Sequence, residues 1–244
     1  MERHIRLEGA SNFRDLGGYK TAEGAVTKWR TMFRSDTPAN LTPGDLATVT
    51  GLGVSVACDL RYGEERETEV SQYRAHPEID VLELGLDQRP GQSFVDSFQV
   101  AQDIVAHAEN YLLTNYAEYP LRYNHAYLGM FERLIAGDRL VVHCTAGKDR
   151  AGTAAALLLS ALGVPRDTVF EDYLLTNDYW DPSGRDTGEL DAEARKAIFS
   201  AREEYLAQAF KTIDERFGGV DAYLADYVGL TNEKRAALQA ACLD

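Results

Sequence analysis

Apolar positions along the chain form short runs that alternate with longer helical patterns. Val54–Leu60 and Ile79–Leu84 each predict a strand, and the first is apolar enough to be buried on both faces. Leu140–Val142 predicts another strand, and Ala151–Leu162 predicts a strongly apolar helix. Because strands alternate with helices, we predict an α/β fold with a central, mostly parallel sheet flanked by helices.

Capping residues and periodicity predict further helices. Thr42 and Pro43 form the N-cap and first position of a short helix that ends near Gly51. Residues 94–133 are predicted to be mostly helical, with an interruption at Pro120.

The pattern becomes entirely helical from residue 166 onward, and 191–217 predicts one long amphipathic helix. We therefore expect a single domain over 1–244, with an α/β catalytic core at 1–165 and a helical extension at 166–244 packed on it. Residues 181–188 are the most polar stretch and predict a flexible loop.

Composition narrows the function classes. The net charge of −14 argues against nucleic acid as a partner, and no apolar stretch reaches 18 residues, so we expect no integral membrane association. Cys58, Cys144 and Cys242 are too few and too scattered for a disulfide framework. The first residues carry no secretory signal, so we expect a cytoplasmic location, with leaderless export left open.

The segment 140–153 carries the chemistry. A buried strand delivers Cys144 to its C-terminal end, and a helix begins near Arg150 after a short loop. A helix N-terminus supplies free N–H groups and a positive dipole end, which together bind anions. The residues predicted to surround a phosphate are Thr145, Ala146, Gly147, Lys148, Asp149 and Arg150.

In that field the thiolate form of Cys144 is favoured over the thiol, and a thiolate is a strong nucleophile. The planar fork of Arg150 suits two phosphate oxygens. We therefore predict attack of sulfur on phosphorus, a phosphocysteine intermediate and its hydrolysis by water.

The spacing of Cys144 and Arg150, with five residues between them, resembles the signature loop of protein tyrosine phosphatases. The sequence at 143–150, His-Cys-Thr-Ala-Gly-Lys-Asp-Arg, resembles a bacterial branch of that superfamily. That resemblance implies hydrolysis of phosphotyrosine, phosphoserine or phosphothreonine in proteins, and of phosphoinositides, without a cofactor. It also associates Lys148 with phosphoinositide activity, against the alternative of a solvated lysine. Further blocks match the branch in order, at 12–18, 33–36, 59–61, 64–67, 217–224 and 229–231.

One position departs from the resemblance. Relatives carry Ser or Thr directly after the signature arginine, where this chain has Ala151. The resemblance implies that the hydroxyl stabilises the departing thiolate, so we predict slow breakdown of the phosphocysteine. Thr153 should point elsewhere on the helix.

The general acid has three candidates. Asp149 ranks first because it lies in the loop, followed by Asp59 and then Asp87, each of which follows a predicted strand. His143 is expected to support the loop rather than transfer protons, and Arg61 and Glu64 are expected to form an ion pair. Residues 173–211 are the best candidate for a mobile cover.

Two other functions stay open at this point. One is a catalytically weak phosphate-binding pseudophosphatase, which Ala151 would indicate. The other is an arsenate reductase or a sulfurtransferase. A reductase usually needs further cysteines to resolve a disulfide, so a second cysteine within disulfide reach of Cys144 would favour this alternative. Cys58 is expected to be a buried apolar residue. The histidines show no metal-ligand spacing, so we predict no metal site.

Overall fold

Five strands form one sheet in the computed structural model, which describes residues 1–91, 103–183, 190 and 192–244. The strands are β1 (Arg14–Asp15), β2 (Met32–Ser35), β3 (Val56–Asp59), β4 (Asp80–Glu83) and β5 (Leu140–His143). Their order is β1-β2-β5-β3-β4, with β1 antiparallel to β2 and the other pairs parallel. The prediction of an α/β fold with a mostly parallel sheet is confirmed.

Helices connect and cover these strands. In chain order they are α1 (Pro43–Gly51), α2 (Gly63–Thr68), α3 (Ile104–Arg122), α4 (Asn124–Ile135), α5 (Arg150–Ala161), α6 (Arg166–Leu174), α7 (Thr176–Tyr179), α8 (Ala192–Phe199), α9 (Glu203–Phe217), α10 (Val220–Ala222) and α11 (Asn232–Cys242). Two 3₁₀ turns (Pro38–Asn40 and Gln72–Ala75) and a π-helical turn (Tyr223–Val228) complete the described elements.

Successive side chains along the strands point alternately into two hydrophobic cores, one on each face of the sheet. Cys58 and Val142 point to the larger core, which α3, α4, α5 and α9 complete. Ala57 and Val141 point to the smaller core, where Val49 of α1 packs. The central strands are apolar on both sides because successive side chains point to opposite faces and both faces are covered.

Two predicted elements differ from the structure. Helix α3 continues through Pro120, whose carbonyl accepts a hydrogen bond from Tyr223 at 2.7 Å, and it ends at Arg122. The predicted helix at 191–217 is two helices, α8 and α9. Between them, Ala201 exchanges hydrogen bonds of 2.7 and 2.8 Å with the Asn177 side chain, and these bonds replace helical ones. Residues 94–102 of the predicted 94–133 helix, residues 184–188 of the predicted loop and residue 191 lie outside the described part of the chain.

The carboxyl ends of β2, β5 and β3 meet at one sheet edge. There Thr37 N–H donates to the Thr145 carbonyl at 3.0 Å, and Leu60 N–H donates to the His143 carbonyl at 3.0 Å. The loop after β5 is therefore fixed by both neighbouring strands. Among the described residues, no helix has the length and hydropathy needed to cross a bilayer. The division into a core at 1–165 and an extension at 166–244 stays a prediction.

Candidate active site

Cys144 follows the last residue of β5 and lines a cavity of about 170 Å³ at the carboxyl edge of the sheet. Its neighbours in the cavity wall include most of the predicted phosphate loop and several aromatic rings. The described lining residues are Tyr62, Arg89, Tyr111, Leu112, Asn115, Tyr119, Thr145, Ala146, Lys148, Asp149, Arg150, Trp180, Ile198 and Phe199. A buried sulfur thus shares one concave site with the loop and with cationic groups.

Arg150 is the first residue of α5, and Glu65 of α2 fixes its guanidinium. Nη1 donates to Glu65 Oε2 at 2.6 Å and Nη2 donates to Oε1 at 2.9 Å, the two-pronged geometry that makes such pairs strong. Nη2 also donates to the Thr145 hydroxyl at 3.2 Å. Burial acts to lower the pKa of Arg150, but the Glu65 carboxylate outweighs it and raises the pKa well above its ordinary value. The Arg150 guanidinium therefore stays positively charged, with the Glu65 carboxylate as its counter-ion.

Glu65 is a site residue that the sequence interpretation missed. It sits at the third position of α2, where it also accepts the Tyr62 N–H at 2.7 Å and the Thr145 hydroxyl at 2.8 Å. Burial acts to raise the pKa of Glu65, but Arg150 outweighs it and lowers the pKa to about 2. The only sequence signal was its place in the block at 64–67.

The ion pair expected between Arg61 and Glu64 is wrong. Arg61 binds Asp59 instead, through Nε at 2.9 Å and Nη2 at 2.7 Å. Glu64 pairs with Arg89 at 2.8 Å. Arg61 is buried whereas the Glu64 side chain is 58% exposed, so the two side chains lie in different environments.

The main chain of the signature loop is held from the side of β1 and β2. Asn12 Nδ2 donates to the Ala146 carbonyl at 2.9 Å, and Arg34 Nη2 donates to the Gly147 carbonyl at 2.5 Å. Gly147 has a φ of +67°, and a Cβ there would lie 2.5 Å from the Ser35 carbonyl oxygen. Only glycine fits this position, because both the backbone angle and the space exclude a side chain.

The Asp172 carboxylate of α6 neutralises the positive charge of the arginines Arg14 and Arg34. It lies 3.0 Å from Arg34 Nη1 and 3.5 Å from Arg14 Nε, and all three side chains are buried. Arg14 donates in turn to Asn12 Oδ1. Burial opposes ionisation of Asp172, but the two guanidinium groups outweigh it and lower the pKa of the carboxyl. A residue of α6 therefore stabilises the loop through buried, paired charges.

The three candidate acids occupy different environments. Asp149 lines the cavity, and its side chain is 21% exposed. The Asp59 carboxylate is buried against Arg61; burial opposes its ionisation, but His143 and Arg61 lower its pKa to about 2. Asp87 is 99% exposed and pairs with Arg66 at 3.3 Å. Among the described residues, only Asp149 of these three lines the cavity.

Lys148 is buried, so the interpretation as a solvated side chain is wrong. Its ammonium donates to the carbonyls of Ile198 and, at 3.4 Å, Ser200, where α8 ends. Burial lowers the pKa of Lys148. The predicted loop residue thus connects the loop to the segment that carries Phe199 over the cavity.

His143 lies behind the loop at the end of β5. It is fully buried, and its Nδ1 is 3.9 Å from Asp59 Oδ1. Burial lowers the pKa of His143 to about 4, so the imidazole is neutral at pH 7. This environment suits a packing role in the loop better than proton transfer at the cavity.

Similarity to known proteins agrees with this geometry. The model of the tyrosine phosphatase family matches residues 5–244. The chain belongs to this family. A protein of Cupriavidus necator that is provisionally named a tyrosine-protein phosphatase is 33% identical over 236 residues, covering 92% of this chain and 84% of its own length. The triple specificity protein phosphatase PtpB of Mycobacterium tuberculosis is 29% identical over 259 residues, covering 90% and 92%. The protein is thus a phosphatase that acts on phosphoproteins.

The other two cysteines of this phosphatase are buried, free thiols. Cys58 on β3 lies directly opposite Val142 on β5. Cys144 is two residues further along than Val142, so the rise of two residues and the spacing between neighbouring strands separate the Cα atoms of Cys58 and Cys144 by roughly 8 Å. This distance is beyond disulfide reach. Cys242 lies next to Lys28, before the start of β2, at the opposite edge of the sheet. Burial raises the pKa of each thiol to about 12. The geometry therefore does not favour a reductase that resolves a disulfide.

The position after Arg150 has no hydroxyl. Ala151 is fully buried, and the Thr153 hydroxyl donates to the Asp149 carbonyl at 3.0 Å, one helical turn back. As expected, Thr153 does not replace the missing group. No cluster of three or more metal-ligating side chains occurs in the described ranges.

Proposed function

We propose that this phosphatase hydrolyses phosphotyrosine through a phosphocysteine on Cys144. The observation that carries the proposal is the convergence, in one cavity, of the Cys144 sulfur, the N-terminus of α5 and the Arg150 guanidinium. Developing negative charge on the transferred phosphoryl group is stabilised there by fixed donors. Glu65 holds Arg150 in place, so little reorganisation is needed during the reaction.

The first step forms an S–P bond from Cys144 and breaks the P–O bond to the tyrosyl oxygen. Asp149 gives its proton to that departing oxygen. In the second step a water attacks phosphorus, Asp149 takes one of its protons, and the thiolate of Cys144 leaves. Backbone N–H groups of residues 145–150 and the Arg150 fork hold the phosphoryl oxygens throughout.

Aromatic walls favour an aryl phosphate. Tyr62, Tyr119, Trp180 and Phe199 line the cavity around the sulfur. A flat phenyl ring packs against such walls, whereas the short side chain of phosphoserine carries its phosphate closer to the backbone. We rank phosphotyrosine first, with phosphoserine, phosphothreonine and phosphoinositides as further substrates to test.

The experiment uses para-nitrophenyl phosphate in excess over a high concentration of protein, and follows nitrophenol release before and during steady state. Cys144→Ser is the control. Release by the wild type and not by Cys144→Ser is the expected result, and trapping of phosphate on Cys144 by acid quench and mass spectrometry would identify the intermediate. A panel of phosphopeptides and short-chain phosphoinositides then ranks the substrates.

Ala151 gives one specific reason for a second candidate, a phosphate-binding protein with slow turnover. It predicts a fast burst of phenol equal to the enzyme concentration, followed by slow release. A protein that binds vanadate but shows no burst would favour the binding function and contradict the proposed hydrolysis.

We further propose that residues 1–244 act as one unit, because Asp172 supports Arg34 and hence the loop. A fragment ending at residue 165 should therefore lose oxyanion binding. The cytoplasmic location stays a prediction.

A further inference from the structure

Two buried tyrosines extend the active site away from the cavity. The hydroxyl of Tyr116, on α3, donates to Asp149 Oδ1 at 2.8 Å. The hydroxyl of Tyr173, on α6, lies 2.6 Å from that of Tyr116. Asp149 is thus the end of a chain of three polar groups that reaches into the core.

The direction of these hydrogen bonds follows from the proton count. Tyr116 has one hydroxyl proton and gives it to Asp149, so Tyr173 must donate to Tyr116. Burial, together with the nearby Asp149 charge, raises the pKa of both hydroxyls. Both tyrosines therefore stay protonated and remain donors through the pH range in which the enzyme would work.

The hydrogen bonds from the tyrosines leave one carboxylate oxygen of Asp149 available for proton transfer. Within the described residues, both polar side-chain contacts of Asp149 fall on Oδ1: the Tyr116 hydroxyl and Lys148 Nζ at 3.5 Å. Asp149 is the N-cap of α5, yet its side chain makes no capping hydrogen bond. Oδ2 is therefore not engaged by the helix, and Asp149 is a cavity-lining residue whose side chain is 21% exposed.

Packing fixes the tyrosine that touches Asp149. The Tyr116 ring lies 5.3, 5.8 and 6.2 Å from the rings of Tyr119, Tyr205 and Tyr173. Tyr173 is held in turn at Gly152 of α5, where a Cβ would come within 3.1 Å of Cδ2. A buried ring with these neighbours cannot turn its hydroxyl away without disturbing the core.

We propose that Tyr116, supported by Tyr173, is a positioning residue that holds Asp149 Oδ1 so that Oδ2 faces the leaving oxygen. The inference rests on the proposed phosphatase mechanism. In the first step the Oδ2 proton moves to the leaving oxygen as the P–O bond breaks, and the Tyr116 bond to Oδ1 strengthens as Asp149 becomes ionised. Both tyrosines keep their protons, and hydrolysis of the phosphocysteine returns a proton from water to Asp149.

The test compares substrates that differ only in how much they need an acid. kcat/KM is measured for dinitrophenyl, nitrophenyl and phenyl phosphates with the wild type, Tyr116→Phe and Tyr173→Phe. Tyr223→Phe is the matched control, because it removes a buried hydroxyl that donates to the Pro120 carbonyl at 2.7 Å, and neither residue lines the cavity. We expect Tyr116→Phe to lower kcat/KM for phenyl phosphate by roughly 10- to 100-fold, since general acid catalysis contributes about 100-fold or more.

The same variant should change kcat/KM for dinitrophenyl phosphate by less than about threefold, because a good leaving group needs no proton. Tyr173→Phe should show the same pattern more weakly and serves if Tyr116→Phe does not fold. In an Asp149→Asn background, Tyr116→Phe should have no further effect on the leaving-group dependence. If Tyr116→Phe lowered kcat/KM equally on all three substrates, or did not lower it on phenyl phosphate, the inference about Tyr116 would be overturned while the proposed phosphatase mechanism would stand. A wild type that releases no dinitrophenol would overturn the proposed mechanism as well.

Discussion

Replacing Gly147 with alanine should disrupt the signature loop more than the loss of folding stability would suggest. The residue has a φ of +67°, and an alanine in the left-handed region costs about 1–2 kcal/mol. In addition, the new Cβ would lie 2.5 Å from the Ser35 carbonyl oxygen and 2.8 Å from Asn12 Nδ2. Carbon–oxygen contacts of this kind normally begin at about 3.3 Å, so the loop must move by roughly 0.8 Å.

That movement falls on the residues that we propose hold the phosphate. Ser35 is in β2, which is paired with β5, so the strand cannot yield as easily as the loop. A displacement near 1 Å of a positioning group costs on the order of 100-fold in rate. We therefore expect Gly147→Ala to lower kcat/KM for para-nitrophenyl phosphate by about 100-fold and to weaken vanadate binding.

Gly163→Ala provides the matched control. Gly163 has a φ of +85°, but its nearest contact for a Cβ is Thr21 at 3.8 Å, and it lies past the far end of α5, about 18 Å from Arg150. The backbone angle alone should cost both variants about 1–2 kcal/mol in urea unfolding, and the clash adds to this cost in Gly147→Ala, whereas only Gly147→Ala should lose activity. Activity of Gly147→Ala within threefold of the Gly163→Ala value would refute this explanation of the loop.

Three further outcomes test other parts of the site. The folded-state pKa of Glu65 is lowered from 4.5 to about 2. Ionised Glu65 therefore contributes about 3 kcal/mol to the free energy of unfolding above pH 4.5, and this contribution is lost as the pH falls toward 2. Urea unfolding of Glu65→Gln should lack that acid dependence. Ala151→Thr should speed the steady-state release of phenol severalfold without changing the burst, and an unchanged rate would contradict the role assigned to the missing hydroxyl. Lys148→Met removes the donor to the Ile198 and Ser200 carbonyls, so amide hydrogens of 199–203 should exchange severalfold faster; unchanged exchange would mean that this contact does not hold the segment.

The sequence indicated the proposed nucleophile and its loop because they are local. Cys144 and Arg150 lie within one strand–loop–helix segment, and α5 begins at Arg150 as predicted. Alternating apolar runs also predicted the parallel sheet, since a strand buried on both faces leaves a continuous apolar signal. The long helix at 191–217 was predicted wrongly, because its break depends on hydrogen bonds from Asn177 and Lys148 rather than on local propensity.

The side chains that orient the signature loop could not be predicted from a local sequence motif. Glu65 is 85 residues from Arg150, and Arg34 is 113 residues from Gly147, so only the order of strands in the sheet brings them together. Tyr116 reaches Asp149 across 33 residues, and in the sequence it is one of several tyrosines at helical spacing, a pattern that usually indicates core packing. The sequence thus determined which atoms we propose to react, because reactivity follows from residue type and a short motif. The tertiary structure decided which partners fix their charge and direction, because those depend on distances that packing alone sets.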